Sequence, residues 1–307
     1  METAPLYTDV AEAPEGGQAF FVQTKDGTRI RFALWAGEGR GLAFILPGRT
    51  ECIEKYGRMT GKLIERGFAV LVIDWRGQGL SARPDNRTTV GHVETFPDYQ
   101  QDIEAVLAHQ ALAGLSGPKI MFAHSMGGCI GLRALLEGQA FDKAVFSAPM
   151  WGLNLPGANR FLAPLLAGIG TGLGLSAKPV IGQPKGFYLT RDPFKNNNLT
   201  HDQDHWEYMK AQIVQHPALA LGPPSFGWLK EALAEFGYFD ARPAMPALPT
   251  LAFLGGEESI VSPAAIRRHM QAFANGKLIE IDGARHEIWM ETPERQRQCW
   301  AEIDAFL

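Results

Sequence analysis

Two kinds of apolar pattern alternate along this chain. Continuous apolar runs, typical of strands buried on both faces, occur at 42–46, 68–73 and 120–122, and further strand patterns occur at 143–147, 250–254 and 278–281. Segments with a helical pattern follow most of them, among others at 97–112, 126–136, 263–274 and 293–306. The turn sequence Lys25-Asp26-Gly27 joins two further strand patterns, at 19–23 and 28–35, and predicts a hairpin. We therefore predict an α/β fold with a mostly parallel sheet that begins with an antiparallel hairpin.

This alternation is interrupted once. It stops near Pro149, and 151–245 show mainly helical patterns with several prolines. We predict a core made of 1–150 and 246–307, with 151–245 inserted as a mainly helical cap. Residues 1–17 are predicted to form a loose tail. The apolar run 161–175 contains four glycines, which disfavour a rigid helix and favour a moving lid.

The composition is that of a soluble globular protein. The 307 residues carry a net charge of -4 and an apolar share of 46%, as in ordinary soluble proteins, so we expect no nucleic-acid partner. Cys52, Cys129 and Cys299 are few and unpatterned, which indicates reduced thiols. The N-terminus lacks a signal-peptide pattern and no apolar run reaches the length of a membrane span. We expect a cytoplasmic protein, either free or peripheral at the inner face of the membrane.

The first candidate for chemistry lies where the apolar run 120–122 meets the helical segment that follows it. Ser125 stands at this junction, with the small residues Ala123 and Gly127 two positions to either side. This is the nucleophile elbow pattern with alanine in place of its first glycine. It would expose the serine hydroxyl and place the Met126 N–H at a helix start, facing an oxyanion. A packing turn made of small residues explains these positions equally well.

A serine hydroxyl becomes a nucleophile when a positioned base takes its proton, and a third group orients that base. Among the histidines that follow Ser125, His286 alone stands in a loop just beyond a predicted core strand; that strand is 278–281. That position would bring it to the carboxyl edge of the sheet, beside the serine. Considered alone, it is equally well an exposed loop histidine.

Two carboxylates qualify by position as the third group. Glu257 and Glu258 follow the predicted strand 250–254, so either can reach a histidine at the end of the next strand. The sequence Gly255-Gly-Glu-Glu-Ser-Ile-Val261 aligns with the pattern Gly-x-x-Asp-x-(Ile/Val)-Val of α/β-hydrolases. This alignment favours Glu258, with Glu257 as its solvated neighbour.

The second oxyanion donor is expected in the loop after the run 42–46. Gly48 permits close backbone approach there, which makes the Arg49 N–H the candidate, although Pro-Gly is also a common turn. His201 and His205 have a spacing that metals use, but an exposed first helical turn explains them more simply. We predict no metal, and the missing phosphate-binding glycine motifs indicate no nucleotide cofactor.

Four segments of the chain resemble the bacterial lysophospholipases. These belong with the monoacylglycerol lipases in the serine aminopeptidase-like branch of the α/β-hydrolases. The segments are Phe44-Ile-Leu-Pro-Gly-Arg-Thr-Glu-Cys-Ile-Glu-Lys-Tyr56, Ile73-Asp-Trp-Arg-Gly-Gln-Gly-Leu-Ser81, Gly91-His-Val-Glu-Thr-Phe-Pro-Asp-Tyr99 and Ala123-His-Ser-Met-Gly-Gly128. The resemblance implies an α/β-hydrolase fold, a Ser–acid–His hydrolase, and no metal or organic cofactor. Ala123 and Glu258, in place of the usual glycine and aspartate, depart from the family pattern without removing a needed chemical group.

The predicted cap is the part of the chain that we expect to contact the substrate. Phe161, Leu165, Leu166 and Ile169 are candidates for lining an acyl-chain site, or they form the core of the cap itself. We expect hydrolysis of a carboxylic ester of a lysophospholipid or monoacylglycerol, with peripheral contact between the cap and membrane lipid. An aminopeptidase or short-chain esterase is one alternative, and a hydrolase-like binding protein without turnover is another. The sequence does not indicate an oligomeric state.

Overall fold

The computed structural model describes every residue except 84–88, 156, 158, 183–185 and 243, and gives only the backbone of 159–161. Within these residues, nine strands form one sheet in the order β1-β2-β3-β5-β4-β6-β7-β8-β9. The strands are β1 Glu2–Thr3, β2 Gln18–Gln23, β3 Arg29–Trp35, β4 Leu42–Leu46, β5 Ala69–Ile73, β6 Lys119–His124, β7 Lys143–Ser147, β8 Thr250–Gly255 and β9 Gly276–Ile281. The predicted hairpin is β2 and β3, which pair antiparallel.

The helices occur between and after these strands. They are α1 Thr8–Ala11, α2 Gly57–Ile64, α3 Asp98–Leu107, α4 Met126–Leu136, α5 Asn159–Gly172, α6 Tyr188–Arg191, α7 Gln203–Gln215, α8 Phe226–Asp240, α9 Pro263–Gln271 and α10 Pro293–Phe306. No helix in the described part of the chain is both long and apolar enough to cross a bilayer.

The sheet is parallel from β5 through β9, and this brings its carboxyl ends to one edge. β4 and β5 are buried along their whole length, as their continuous apolar sequences predict for strands covered on both faces. The predicted α/β fold with an initial antiparallel hairpin is confirmed. The loops that follow β4, β6, β8 and β9 all open at the carboxyl edge, where polar residues from distant parts of the chain meet.

The N-terminal segment differs from the expected loose tail. β1 pairs with β2, and Val10 and Ala11 of α1 are buried. The carbonyl of Ala11 accepts a hydrogen bond from the Tyr208 hydroxyl, and Pro5 accepts one from the buried guanidinium of Arg31. Polar partners supplied by the core hold this segment, and its own sequence pattern gives no sign of them.

The segment 151–245 contains α5 to α8, in agreement with a mainly helical insert; the proposed domain boundaries stay a prediction. The glycines do not interrupt α5, which is helical over Asn159–Gly172; the moving lid stays a prediction. A Cβ on Gly170 would lie 2.6 Å from the ring of Phe226, so this glycine lets α5 pack closely on α8. A Cβ on Gly168 or Gly172 would meet open space, so the packing role belongs to Gly170.

Candidate active site

The junction of β6 and α4 is a strained turn centred on Ser125. The backbone of Ser125 has φ 49° and ψ −116°, a conformation that costs a non-glycine residue about 1–3 kcal/mol and that clusters at functional sites. Close packing enforces it, since a Cβ on Gly127 would lie 2.0 Å from the carbonyl oxygen of Leu46. The carbonyl of Ser125 also accepts the N–H of Met150, at 2.8 Å. The turn therefore presents the serine hydroxyl at the carboxyl edge of the sheet.

The structure brings Ser125, His286 and Glu258 into one hydrogen-bonded chain. His286 Nε2 lies 2.9 Å from Ser125 Oγ, and His286 Nδ1 lies 2.8 Å from Glu258 Oε2. All three side chains are buried. Because an ionised carboxylate only accepts, Nδ1 carries the proton and donates to Glu258, which leaves Nε2 free to accept from the serine hydroxyl. This is the arrangement required to draw a proton from Ser125.

Backbone donors fix the carboxylate of Glu258. Its second oxygen accepts the N–H groups of Ile260 at 2.6 Å and Val261 at 3.1 Å. Burial alone would raise the pKa of Glu258, but His286 and these two N–H groups hold it below its usual value. Burial would likewise lower the pKa of His286, yet Glu258 raises it above the ordinary 6.5. The pair thus favours a charged carboxylate that stabilises an imidazolium.

Two backbone N–H groups beside Ser125 are available to an oxyanion. In the described chain, the N–H groups of Arg49 and Met126 have no protein acceptor. The flanking groups in the first loop are engaged, since Gly48 N–H donates to Glu51 and Thr50 N–H donates to Gln78. Both free donors are those expected from the sequence. A developing negative charge on a bound carbonyl oxygen is what such donors stabilise.

A buried cluster of charges lies behind this site. The ammonium of Lys55 contacts the carboxylates of both Glu51 and Glu287, with 2.6 Å to Glu287 Oε1. Burial alone would raise the pKa of Glu287, but Lys55 and His124 hold it well below its usual range. The two carboxylates in turn raise the pKa of Lys55 despite its burial. Lys55 and Glu287 are therefore ionised, and the ammonium holds the side chains of Glu51 and Glu287 together.

This cluster joins the two loops on which the candidate site depends. Glu51 accepts hydrogen bonds from the Gly48 N–H and, at 2.6 Å, from the Tyr56 hydroxyl, while Glu287 directly follows His286. Lys55 thus connects the loop after β4 with the histidine loop after β9. Sequence analysis did not identify these residues. The available signals were the i, i+4 spacing of Glu51 and Lys55 and the position of Glu287 beside a candidate histidine.

Glu257 and His201 lie outside the hydrogen-bonded chain. Glu257 is exposed, and its carboxylate lies 3.3 Å from His201 Nε2; His201 Nδ1 lies 3.0 Å from Glu291. The expected exposed first helical turn is wrong for both histidines, because α7 begins at Gln203 and His205 is buried. The start of α7 is capped by the Asp202 side chain, which accepts the N–H of His205.

The cap candidates lie on an exposed face of α5. Leu165, Leu166 and Ile169 are 56%, 39% and 51% exposed, so the alternative that they form the core of the cap is wrong for these three residues. The side chain of Phe161 lies outside the described residues. Ala167 on the opposite face is buried, and α5 packs on α8 through that side. The role of these leucines and of Ile169 in substrate binding stays a prediction.

We expect Lys55→Met to lower the free energy of unfolding by about 3–5 kcal/mol, because it leaves two buried carboxylates without a counter-ion. The matched control is Lys25→Met, since Lys25 pairs with Glu104 at the surface and such pairs contribute roughly 0–1 kcal/mol. Urea denaturation of both variants measures the difference. A loss for Lys55→Met no larger than that for Lys25→Met would contradict the assigned role of the ammonium.

Comparison with known proteins identifies the family. Residues 37–293 match the family model Hydrolase_4, described as serine aminopeptidase S33. Lysophospholipase L2 of Escherichia coli strain K12 is 28% identical over 275 residues, which cover 87% of this chain and 80% of that protein. A probable lysophospholipase L2 of Haemophilus influenzae is 26% identical over 271 residues, covering 87% and 84%.

A solved structure shows the same fold. The soluble variant of monoglyceride lipase from Saccharomyces cerevisiae, in complex with a substrate analog, matches with a TM-score of 0.71 and 20% identity over 93% of each chain. The family model covers most of this chain, and the fold agrees with it. The chain therefore belongs to the serine aminopeptidase S33 family, Hydrolase_4, of the α/β-hydrolases.

Proposed function

We propose that this protein hydrolyses lysophospholipids or monoacylglycerols through an acyl-enzyme on Ser125. The protein is a serine hydrolase that acts on carboxylic esters. This follows from its family, together with relatives named lysophospholipase and monoglyceride lipase. The observation that carries the proposal is the hydrogen-bonded chain Ser125–His286–Glu258 beneath two unoccupied N–H groups. A hydrolase-like binding protein without turnover would have no need to keep both features.

The side chains and backbone N–H groups of the site act in turn in the proposed reaction. Ser125 Oγ attacks the ester carbonyl carbon while His286 Nε2 takes its proton, and the oxyanion receives hydrogen bonds from the Arg49 and Met126 N–H groups. Glu258 stabilises the imidazolium that forms. His286 then donates its proton to the departing alcohol oxygen, which leaves the acyl group on Ser125. Water, deprotonated by His286, attacks the acyl-enzyme and releases the fatty acid.

The substrate assignment is tested by a panel of esters and amides. The same Ser–acid–His chemistry serves esterases, lipases and peptidases, so the geometry alone does not choose among them. Wild-type protein is given lysophospholipids, monoacylglycerols, short esters and amino-acid amides at matched concentrations. We expect the highest kcat/KM on the long-chain lipid esters. Best activity on acetyl esters or on amino-acid amides would favour the small-substrate alternatives.

Glu258→Gln is expected to lower kcat by roughly 10³–10⁴-fold, because the imidazole loses its orienting acceptor and the imidazolium its counter-charge. The same change removes the charge that raises the pKa of His286. Since the neutral imidazole is the base, kcat/KM falls as the pH drops through that pKa, and the acidic limb should move to lower pH in the variant.

Glu257→Gln is the matched control for this prediction. Glu257 is the exposed neighbour and does not contact His286, so the rate and the acidic limb should stay close to wild type. The pH dependence of kcat/KM for the wild type and both variants is the measurement. If Glu257→Gln caused the larger loss, the assignment of Glu258 would be wrong.

The exposed face of the cap suits contact with aggregated lipid. Among the described residues, ten large apolar side chains are exposed, and seven of them lie between 162 and 181. They are Leu162, Leu165, Leu166, Ile169, Leu173, Leu175 and Ile181. Soluble proteins rarely expose such a concentration of apolar surface unless it serves an interaction. We infer that this face contacts the surface of a micelle or membrane that contains the substrate.

Leu165→Ser combined with Ile169→Ser should reduce kcat/KM on vesicle-bound long-chain substrate by at least about tenfold, since two apolar side chains no longer enter the lipid. A water-soluble short-chain ester should lose much less. Leu115→Ser, which alters an exposed leucine outside the cap, is the control and should change neither. Equal losses on soluble and vesicle-bound substrates would show damage to the cap and reject the docking role.

A further inference from the structure

The side chain of Arg49 lies where the core meets the cap. Its Nη2 donates to the carbonyl of Gly222, and its guanidinium lies 5.3 Å from the ring of Trp228 on α8. A Cβ on Gly91 would come within 2.9 Å of Nη2, so the absence of a side chain at Gly91 leaves room beside the guanidinium. The residue as a whole is half-buried.

Within the part of the chain that the structure describes, this cation has no anionic partner. Its Nε is buried without an acceptor, and no carboxylate among the described residues forms an ion pair with Arg49. The buried guanidinium of Arg31, by contrast, pairs with both Glu54 and Asp74. Burial lowers the pKa of Arg49 to about 10, a cost that no carboxylate of the described residues offsets. A desolvated guanidinium with free donors binds oxyanions, and phosphates in particular, with charge-assisted hydrogen bonds.

We propose that the Arg49 guanidinium binds the phosphate of the substrate's head group, and that this contact distinguishes lysophospholipids from monoacylglycerols. The inference rests on the proposed function. Arg49 would then have two tasks, because its N–H is the proposed oxyanion donor and its side chain contacts Gly222 and Trp228 of the cap. In a lysophospholipid only the glycerol separates the scissile ester from the phosphate, so both groups lie within the span of one arginine.

A structural role for Arg49 is the competing explanation. The hydrogen bond to Gly222 connects the loop after β4 with the cap, and such a connection needs a donor but no charge. If Arg49 only held the cap, its replacement would affect all esters alike. If it binds phosphate, its replacement affects the phosphorylated substrate more. The ratio of the two activities therefore separates the explanations, and any disturbance of the Arg49 N–H cancels in that ratio.

The experiment measures kcat/KM for lauroyl lysophosphatidylcholine and for lauroyl monoacylglycerol, both below their aggregation concentrations. In Arg49→Gln we expect the ratio of the first to the second to fall about 10–100-fold, mainly through KM, as loss of charge-assisted hydrogen bonds predicts. Arg49→Lys keeps the charge and should show a smaller fall. The control is Arg83→Gln, because Arg83 is another half-buried arginine and donates to the carbonyls of Ala218 and Ala220. Its ratio should stay near wild type.

Binding of sn-glycerol 3-phosphate and of inorganic phosphate, followed by calorimetry, gives a readout that does not need turnover. We expect sn-glycerol 3-phosphate to bind at least about tenfold more weakly to Arg49→Gln. An unchanged ratio overturns the inference, as does equal weakening in the Arg83→Gln control. Binding of inorganic phosphate alone, without a change in ratio, would also overturn the head-group assignment. If wild-type protein cleaves neither lipid, the proposed function is wrong, and the calorimetry still decides whether Arg49 binds phosphate.

Discussion

One buried ammonium holds together the two loops that flank Ser125. Lys55 contacts Glu51 behind the loop after β4 and Glu287 in the histidine loop, two residues more than two hundred positions apart in the chain. Without that cation, two carboxylates would be buried beside one another, and moving the two loops apart would relieve this cost by letting water reach them. The position of His286 relative to the free N–H groups therefore depends on an interaction that touches no substrate.

The site combines that rigid support with strain at a single residue. Ser125 keeps a backbone conformation that is unfavourable for a serine, and it can do so because Gly127 packs directly on the carbonyl of Leu46. The same contact sets the distance between the elbow and the loop that carries Arg49. Ser125 and the two free N–H groups are thus positioned by packed backbone, and His286 by a carboxylate with backbone hydrogen bonds. We propose that the cap and the side chain of Arg49 determine the choice of substrate.

The sequence predicted the parts of this site that depend on strand ends. Ser125, Glu258 and His286 each follow a predicted strand, and parallel strands bring their carboxyl ends together, so their meeting could be inferred. The partners of Lys55 could not, because a buried ion pair between distant segments leaves no periodic signal. For the same reason the N-terminal segment was expected to be loose. The packing role of Gly170 was missed because the sequence shows a missing side chain but not the neighbouring helix that fills its space.

The central claim is that Ser125 carries the acyl group during turnover. The most direct measurement is the mass of the peptide containing Ser125 after rapid acid quench of wild-type protein hydrolysing a lysophospholipid. The account predicts a mass increase equal to the acyl chain on that residue, and its disappearance in Ser125→Ala together with a roughly 10⁴–10⁶-fold loss of kcat. Turnover with the acyl group on another residue, or Ser125→Ala retaining more than about a tenth of the activity, would contradict it.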